Sequence, residues 1–148
     1  MDIKDLHNKF LECNSVVDID SRSIREGSMF FAIKGDNFDG NQFAKEALNK
    51  GAKFAVIDSN SVDVDDSKIL RVKDSLEPLQ ELATFHRIKT KSIVIALTGS
   101  NGKTTTKELI DCVLSSNFKT ISTNGNYNNH IGVPLSLLQI EDDTEYSV

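Results

Sequence analysis

Residues 93–108 read IVIALTGSNGKTTTKE, an apolar run followed by a turn with two glycines, a lysine, three threonines and the polar start of a helix. Many proteins hold the phosphates of a nucleoside triphosphate where a strand passes through such a turn into a helix, because backbone N–H groups and the helix dipole attract anions. In this arrangement Lys103 can reach the outer phosphates, and the Thr104 hydroxyl can meet a magnesium ion. The stretch therefore predicts a phosphate-binding loop.

The spacing of the two glycines differs from the standard phosphate-loop pattern. That pattern has four residues between its glycines, whereas only Ser100 and Asn101 separate Gly99 from Gly102. A lysine behind a glycine-rich turn is also a common surface feature. The apolar run before the turn, and the apolar residues at helical spacing between positions 109 and 114, favour the phosphate loop.

The composition is typical of a soluble globular protein and narrows the class of partner. The 148 residues carry a net charge of −5, with 39% hydrophobic and 26% charged residues. The acidic balance argues against a nucleic-acid partner, for which a concentrated basic face is expected. A local nest of N–H groups can still bind a phosphorylated small molecule in an acidic protein.

Neither the cysteines nor the histidines follow the spacing of a metal site. We expect Cys13 and Cys112 to be small buried apolar groups rather than a disulfide. No apolar run approaches the length of a membrane span, and the N-terminus lacks a signal-peptide core. These features predict a cytoplasmic protein without a membrane span.

The chain reads as two α/β units with a boundary after residue 87. In the first unit, the apolar patterns predict helices over residues 2–12, 43–48 and 75–87 and strands over residues 29–33, 54–57 and 69–72. Ser75 is the predicted N-cap of the third helix. A polar, acidic surface loop is expected over residues 58–68.

The second unit contains fewer strands than a phosphate-loop domain normally has. The patterns predict strands over residues 93–97, 119–121 and from 146 onwards, and helices over residues 103–115 and 133–138. Such a domain needs several parallel strands covered on both faces. We therefore expect this unit to be the truncated beginning of a parallel-sheet domain.

Two further stretches, read together with the loop, carry a resemblance to a known family. They are residues 20–43, DSRSIREGSMFFAIKGDNFDGNQF, and residues 123–134, TNGNYNNHIGVP. In this order and spacing, the chain resembles the Mur ligases, the ATP-dependent amide-forming enzymes of bacterial peptidoglycan precursor synthesis, over essentially all of its residues. The family's shortened phosphate loop, G-x-x-G-K-T-T, matches Gly99 to Thr105. One departure is Asn41, where relatives often carry a histidine.

The resemblance implies a fold and a reaction. The fold is a small N-terminal α/β UDP-sugar-binding domain over residues 1–87, followed by the start of a central parallel-sheet ATP-binding domain over residues 88–148. The motif N-x-N-N-x-I-G-x-P favours the branch of the family that joins D-alanyl-D-alanine to UDP-N-acetylmuramoyl-tripeptide. In that reaction ATP phosphorylates the peptide carboxylate and the incoming amine attacks the acyl phosphate, so catalysis depends on positioning and charge neutralisation.

The resemblance also implies the residues of two sites. In the ATP and magnesium site, Lys103 and Thr104 are the catalytic residues, with Lys103 bridging the outer phosphates and Thr104 binding the metal. The nucleotide-binding residues are Gly99, Ser100, Asn101, Gly102, Lys103, Thr104 and Thr105. The substrate-binding residues are Ser21, Arg22, Lys34, Asp36, Asn37, Phe38, Asn128 and Asn129.

Several of these residues have a simpler structural interpretation. On the residues alone, positions 20–22 favour a capped turn with a surface salt bridge. Phe38 alone is typical of a loop anchor, and Asn128 and Asn129 fit a turn that caps the next helix equally well.

Three other functions stay open at this point. They are a sibling ligase that adds a single amino acid, such as the UDP-N-acetylmuramoyl-dipeptide ligase, a non-catalytic UDP-sugar or nucleotide-binding module, and a generic phosphate-loop ATPase. Under the ligase interpretation we expect these residues alone to form no amide product.

Overall fold

A parallel sheet of buried apolar strands forms the core of the first half of the chain. The computed structural model describes residues 1–35, 38–59, 67–125 and 127–148, which form the units Met1–Leu82 and Ala83–Val148. The elements of the first unit are α1 (Ile3–Glu12), β1 (Val17–Asp18), β2 (Met29–Phe31), β3 (Lys34–Gly35), β4 (Phe38–Asp39), a 3-10 turn (Gly40–Phe43), α2 (Ala44–Asn49), β5 (Phe54–Ile57), β6 (Ile69–Arg71) and the beginning of α3 (Leu76–Lys89). The division between the units falls within α3.

The strands of the first unit run parallel in the order β1-β2-β5-β6, and β3 and β4 form a separate antiparallel hairpin. Every residue of β2 and β5 is buried. Continuous apolar runs of this kind are expected for parallel strands that are covered on both faces. Phe30 and Ile57 pack in one buried cluster with Ala44 and Ala47 of α2.

The capping of α3 differs from the prediction. The Leu76 N–H donates to Asp74 Oδ1 at 2.7 Å, so the residue before Ser75 provides the cap. The Ser75 hydroxyl donates instead to the Ala32 carbonyl at 2.8 Å. Because a buried carbonyl needs a donor, and Asp74 caps as well as serine does, this exchange satisfies both groups.

The second unit contains a three-stranded parallel sheet with a helix directly after the glycine-rich turn. Its elements after α3 are β7 (Ile93–Val94), α4 (Lys103–Ser115), β8 (Thr120–Ile121), α5 (Gly132–Leu137) and β9 (Tyr146–Ser147). The strand order is β7-β9-β8, so the last strand lies between the other two. The first strand is shorter than predicted, although the Ile95 N–H still donates to the Ser147 carbonyl at 2.8 Å. These parallel sheets confirm the predicted α/β class.

The two cysteines lie in different surroundings. Cys13 is buried, and burial raises the pKa of its thiol to about 11. Cys112 is exposed on α4, so the prediction that it is buried was wrong. Leu109 and Val113, which are its neighbours on α4, are also exposed. Apolar residues at helical spacing predict a helix, but the spacing alone does not tell which side of the helix meets the sheet.

In the described part of the chain, no helix combines the length and apolar character that a membrane span requires.

Candidate functional site

The turn between β7 and α4 has the backbone geometry of an anion site. Gly102 directly precedes α4 with a φ of +79°, and Gly99 has a φ of +148°, conformations that favour glycine. Within the residues that the structure describes, the backbone N–H groups from Gly99 to Thr105 donate to no backbone carbonyl. The turn therefore presents free N–H groups at the positive end of a 13-residue helix.

A cavity of about 440 Å³ lies against this turn. Gly99, Lys103 and Thr104 line it on one side, and Asn128 lines it from the segment that leads to α5. The Lys103 ammonium donates a hydrogen bond to the Gly99 carbonyl, which holds the side chain against the turn. The structure thus brings Lys103, Thr104 and Asn128 to one cavity.

Asn129 has a different environment from its neighbour. Its Oδ1 accepts the N–H groups of Ile131 at 3.0 Å and Gly132 at 2.7 Å, at the beginning of α5. Of the two interpretations of this asparagine, these bonds support the capping turn. Its contact with substrate stays a prediction.

Gly132 allows the two sides of this segment to approach each other. A Cβ at Gly132 would lie 2.5 Å from the Cα of Tyr127, a distance that real side chains do not reach. Tyr127 and Asn128 both line the cavity. The glycine therefore lets the cavity wall pass close over the start of α5.

Lys107 is a cavity residue that the sequence interpretation missed. It is the one buried lysine among the described residues, and its side chain is 11% exposed. Its Nζ donates to the Thr123 carbonyl at 2.6 Å and lies 2.8 Å from Glu108 Oε1. Since residues four apart share a face of a helix, the spacing from Lys103 was the signal that could have identified it.

In the first unit, Lys34 belongs to a partly buried polar network. Its Nζ lies 2.7 Å from Asp58 Oδ1, and the Asp58 side chain is 7% exposed. The Asn41 amide donates to the same oxygen at 2.7 Å and to Asp39 Oδ1 at 2.6 Å, and its carbonyl oxygen accepts the Asp58 N–H at 3.0 Å. Asn41 therefore fills a buried position where its amide bonds on both sides.

This network changes the acidity of its two charged members. Burial alone would raise the pKa of Asp58, but hydrogen bonds from Lys34, Asn41 and Ser75 outweigh it and lower that pKa. The hydrogen bond to Asp58 raises the pKa of Lys34 in turn. Both groups are therefore ionised at neutral pH.

Asp58→Asn should flatten the acid side of the stability profile. A carboxyl whose pKa is lowered in the fold adds stability that is present above its unfolded pKa, near 3.8, and is lost as the pH falls towards the folded value. Between about pH 6 and pH 3, the free energy of unfolding of the parent chain should therefore fall more steeply than that of the variant. Urea unfolding followed by circular dichroism measures both.

The exposed carboxylate of Asp5 provides the control for this measurement. Asp5→Asn should follow the acid profile of the parent chain, because it also removes one carboxylate but leaves the contacts of Asp58 with Lys34 and Asn41 in place. Equal acid slopes for the parent chain and Asp58→Asn would show that the network does not stabilise the fold through ionised Asp58.

The predicted residues Ser21 and Arg22 lie in one turn, in which Ser21 is buried and Arg22 is exposed. Arg22 donates to both carboxylate oxygens of Asp20, and its side chain is 86% exposed. The hydrogen bonds from Arg22 lower the pKa of Asp20 to about 2. Ser21 is buried, and its carbonyl accepts the Lys50 ammonium at 2.8 Å. This is the capped turn with a salt bridge that the residues alone favoured.

Phe38 is the remaining predicted substrate residue that the structure describes. Its ring is exposed and stacks on Phe43 at 5.3 Å between centroids and an interplanar angle of 8°. Asp36 and Asn37 lie outside the described residues. The Phe43 contact anchors the hairpin of β3 and β4, while about half of Phe38 stays accessible.

Comparison with known proteins matches both parts of the chain. The model of the Mur ligase family, catalytic domain, matches residues 15–87, and the model of the Mur ligase middle domain matches residues 97–148. The UDP-N-acetylmuramoyl-tripeptide–D-alanyl-D-alanine ligase of Rickettsia prowazekii is 40% identical over 139 residues, which are 93% of this chain and 30% of the relative. The chain thus spans less than a third of the length of that relative.

Solved structures give the same similarity in three dimensions. The crystal structure of MurF from Acinetobacter baumannii has a TM-score of 0.79 at 36% identity, over 88% of this chain and 29% of the other. MurF ligase from Thermotoga maritima, solved in complex with ADP, has a TM-score of 0.77 at 34% identity, over 89% and 31%.

Proposed function

Because the chain belongs to the Mur ligase family, we propose that it provides the UDP-sugar-binding and phosphate-binding parts of a ligase that joins D-alanyl-D-alanine to UDP-N-acetylmuramoyl-tripeptide. The observation that carries the proposal is the turn from Gly99 to Thr105, with its free N–H groups and its lysine at a cavity. The substrates named in the proposal come from the similarity to UDP-N-acetylmuramoyl-tripeptide–D-alanyl-D-alanine ligases.

The residues at the cavity fit a magnesium nucleotide. The described lining residues include the Lys103 and Lys107 ammonium groups and the Thr104 hydroxyl, and they include no aspartate or glutamate side chain. In the proposed site, the free N–H groups of the turn hold the phosphates, Lys103 neutralises their charge, and the Thr104 hydroxyl binds the metal. ATP, when bound, supplies the phosphoryl group that activates a carboxylate.

The first unit would hold the UDP end of the substrate. The Lys34 side chain is 48% exposed although its ammonium is paired with Asp58. The pairing restrains the side chain, and the exposed part can still meet a diphosphate. Phe38, stacked on Phe43 beside it in the same hairpin region, offers an accessible aromatic face.

Calorimetric titrations of the 148-residue chain test this proposal. We expect binding of ADP in the presence of magnesium, and tighter binding of UDP-N-acetylmuramoyl-tripeptide than of the matching dipeptide. Preference for the dipeptide would favour a sibling that adds a single amino acid. ADP binding without any affinity for either UDP-sugar would favour a generic phosphate-loop ATPase, and the substrate part of the proposal would fail.

A further inference from the structure

One face of α4 holds the segment that leads to Asn128. Lys107 Nζ donates to the Thr123 carbonyl at 2.6 Å, and Asp111 Oδ2 accepts the Ser122 hydroxyl at 2.8 Å. Lys107 and Asp111 are four residues apart, so they lie one turn apart on the same side of the helix. Two consecutive residues of the segment, Ser122 and Thr123, are therefore hydrogen-bonded to α4. The two helix residues that bind them lie one and two turns after Lys103.

The hydrogen bond from Lys107 to the Thr123 carbonyl is strengthened because the ammonium is shielded from water. A buried charge must be paired or hydrogen-bonded, and a bond from a charged donor is stronger than a neutral one. Glu108, the carboxylate partner, has a side chain that is 60% exposed, so water weakens that ion pair. The Thr123 carbonyl is the partner that fixes where the ammonium lies.

We propose that Lys107 is a positioning residue for the nucleotide site, which acts by holding the Thr123 end of the segment so that Asn128 lies at the phosphate-binding turn. The part of this inference that concerns nucleotide binding rests on the proposed function. Lys107 differs from Lys103 in its role, since its ammonium is already committed to Thr123 and Glu108. It acts through Asn128 rather than by contact with a phosphate.

Amide hydrogen exchange in the 148-residue chain tests the positioning directly and needs no nucleotide. Lys107→Met removes the donor but keeps the length of the side chain. The amides of Thr123 and Tyr127, which donate to Val148 and Asn124, should exchange about tenfold faster, as expected when a charge-assisted hydrogen bond is lost. The Ile95 amide in the sheet should keep its rate.

Two further variants sharpen this experiment. Lys107→Arg keeps a charged donor and should restore most of the protection. Lys119→Met is the matched control, because Lys119 also pairs with carboxylates, Glu141 and Asp143, but is exposed and lies outside the cavity. Unchanged exchange at Thr123 and Tyr127 in Lys107→Met would overturn the proposal, and so would an equal acceleration throughout the second unit.

A double-mutant cycle tests the consequence for the nucleotide. Lys107→Met should weaken ADP binding about tenfold in the parent chain and less than about twofold in the Asn128→Ala background, because residues that act through one another are not additive. Equal losses in both backgrounds would overturn the positioning role. If the parent chain binds no ADP, the proposed nucleotide site fails, while the exchange experiment still decides whether Lys107 positions the segment.

Discussion

Replacing Lys103 with methionine should weaken the binding of magnesium ADP to this chain by about 100-fold, or roughly 2.7 kcal/mol. Lys103 is the first residue of α4, and its ammonium lies against the Gly99 carbonyl at the edge of the cavity. A phosphate bound to the free N–H groups of the turn would meet this charge at short range. Isothermal titration calorimetry at fixed magnesium concentration measures the loss.

Two controls distinguish a loss of ADP binding from a loss of folding. Lys91→Met removes an exposed lysine of the same unit and should change the affinity by less than about twofold. Circular dichroism should show the same helix content for Lys103→Met and the parent chain, because methionine and lysine have similar helix propensities. If Lys103→Met binds ADP as tightly as the parent chain does, the turn is not a phosphate site.

Most elements could be predicted from the sequence because their signals are local. The predicted helix over residues 103–115 is confirmed as Lys103–Ser115, since a glycine turn and apolar residues at helical spacing lie together in the chain. The strand at residues 54–57 is confirmed in the same way, by a short apolar run between polar residues. The turn from Gly99 to Gly102 that precedes α4 belongs with these elements, because its residues are contiguous, and its binding of phosphate stays a prediction.

The side-chain networks could not be predicted because their partners are distant in sequence. Asn41 and Asp58 are 17 residues apart, and Lys107 and Thr123 are 16 residues apart. No periodic pattern relates such pairs, and only the packing of the sheet brings them together. The two networks therefore explain two buried residues that had no clear role in the sequence, Lys107 and Asn41.

The asparagine pair illustrates a third case, in which the residue type fits two roles equally. Asparagine can cap a helix or contact a ligand with the same amide group. The backbone decides between them: Asn129 faces the N–H groups at the start of α5, whereas Asn128 lines the cavity. Asn128 and Asn129 have different surroundings because successive side chains in an irregular segment point in different directions.

Gly40→Ala should lower the free energy of unfolding of the first unit by about 3 kcal/mol or more. A Cβ at this position would lie 2.6 Å from the Ile33 carbonyl oxygen, 2.8 Å from the Ala32 carbonyl carbon and 2.9 Å from the Ile33 nitrogen. All three are backbone atoms that directly follow β2, and they cannot move without disturbing the buried sheet. Urea unfolding followed by the NMR signals of β2 and β5 measures the loss for this unit by itself.

Gly35→Ala is the matched control, because it adds the same methyl group five residues earlier. A Cβ at Gly35 would meet no atom of the described residues within 4 Å, and the φ of Gly35 is not positive, so Gly35→Ala should lower the free energy of unfolding by less than about 0.5 kcal/mol. A similar loss of stability in both variants would mean that the general cost of replacing a glycine dominates. A large loss in Gly40→Ala alone would place the cause in the contact with Ala32 and Ile33.

That contact lies beside Asn41, so the same variant should also raise the exchange rate of the Asp58 amide, which donates to Asn41 Oδ1.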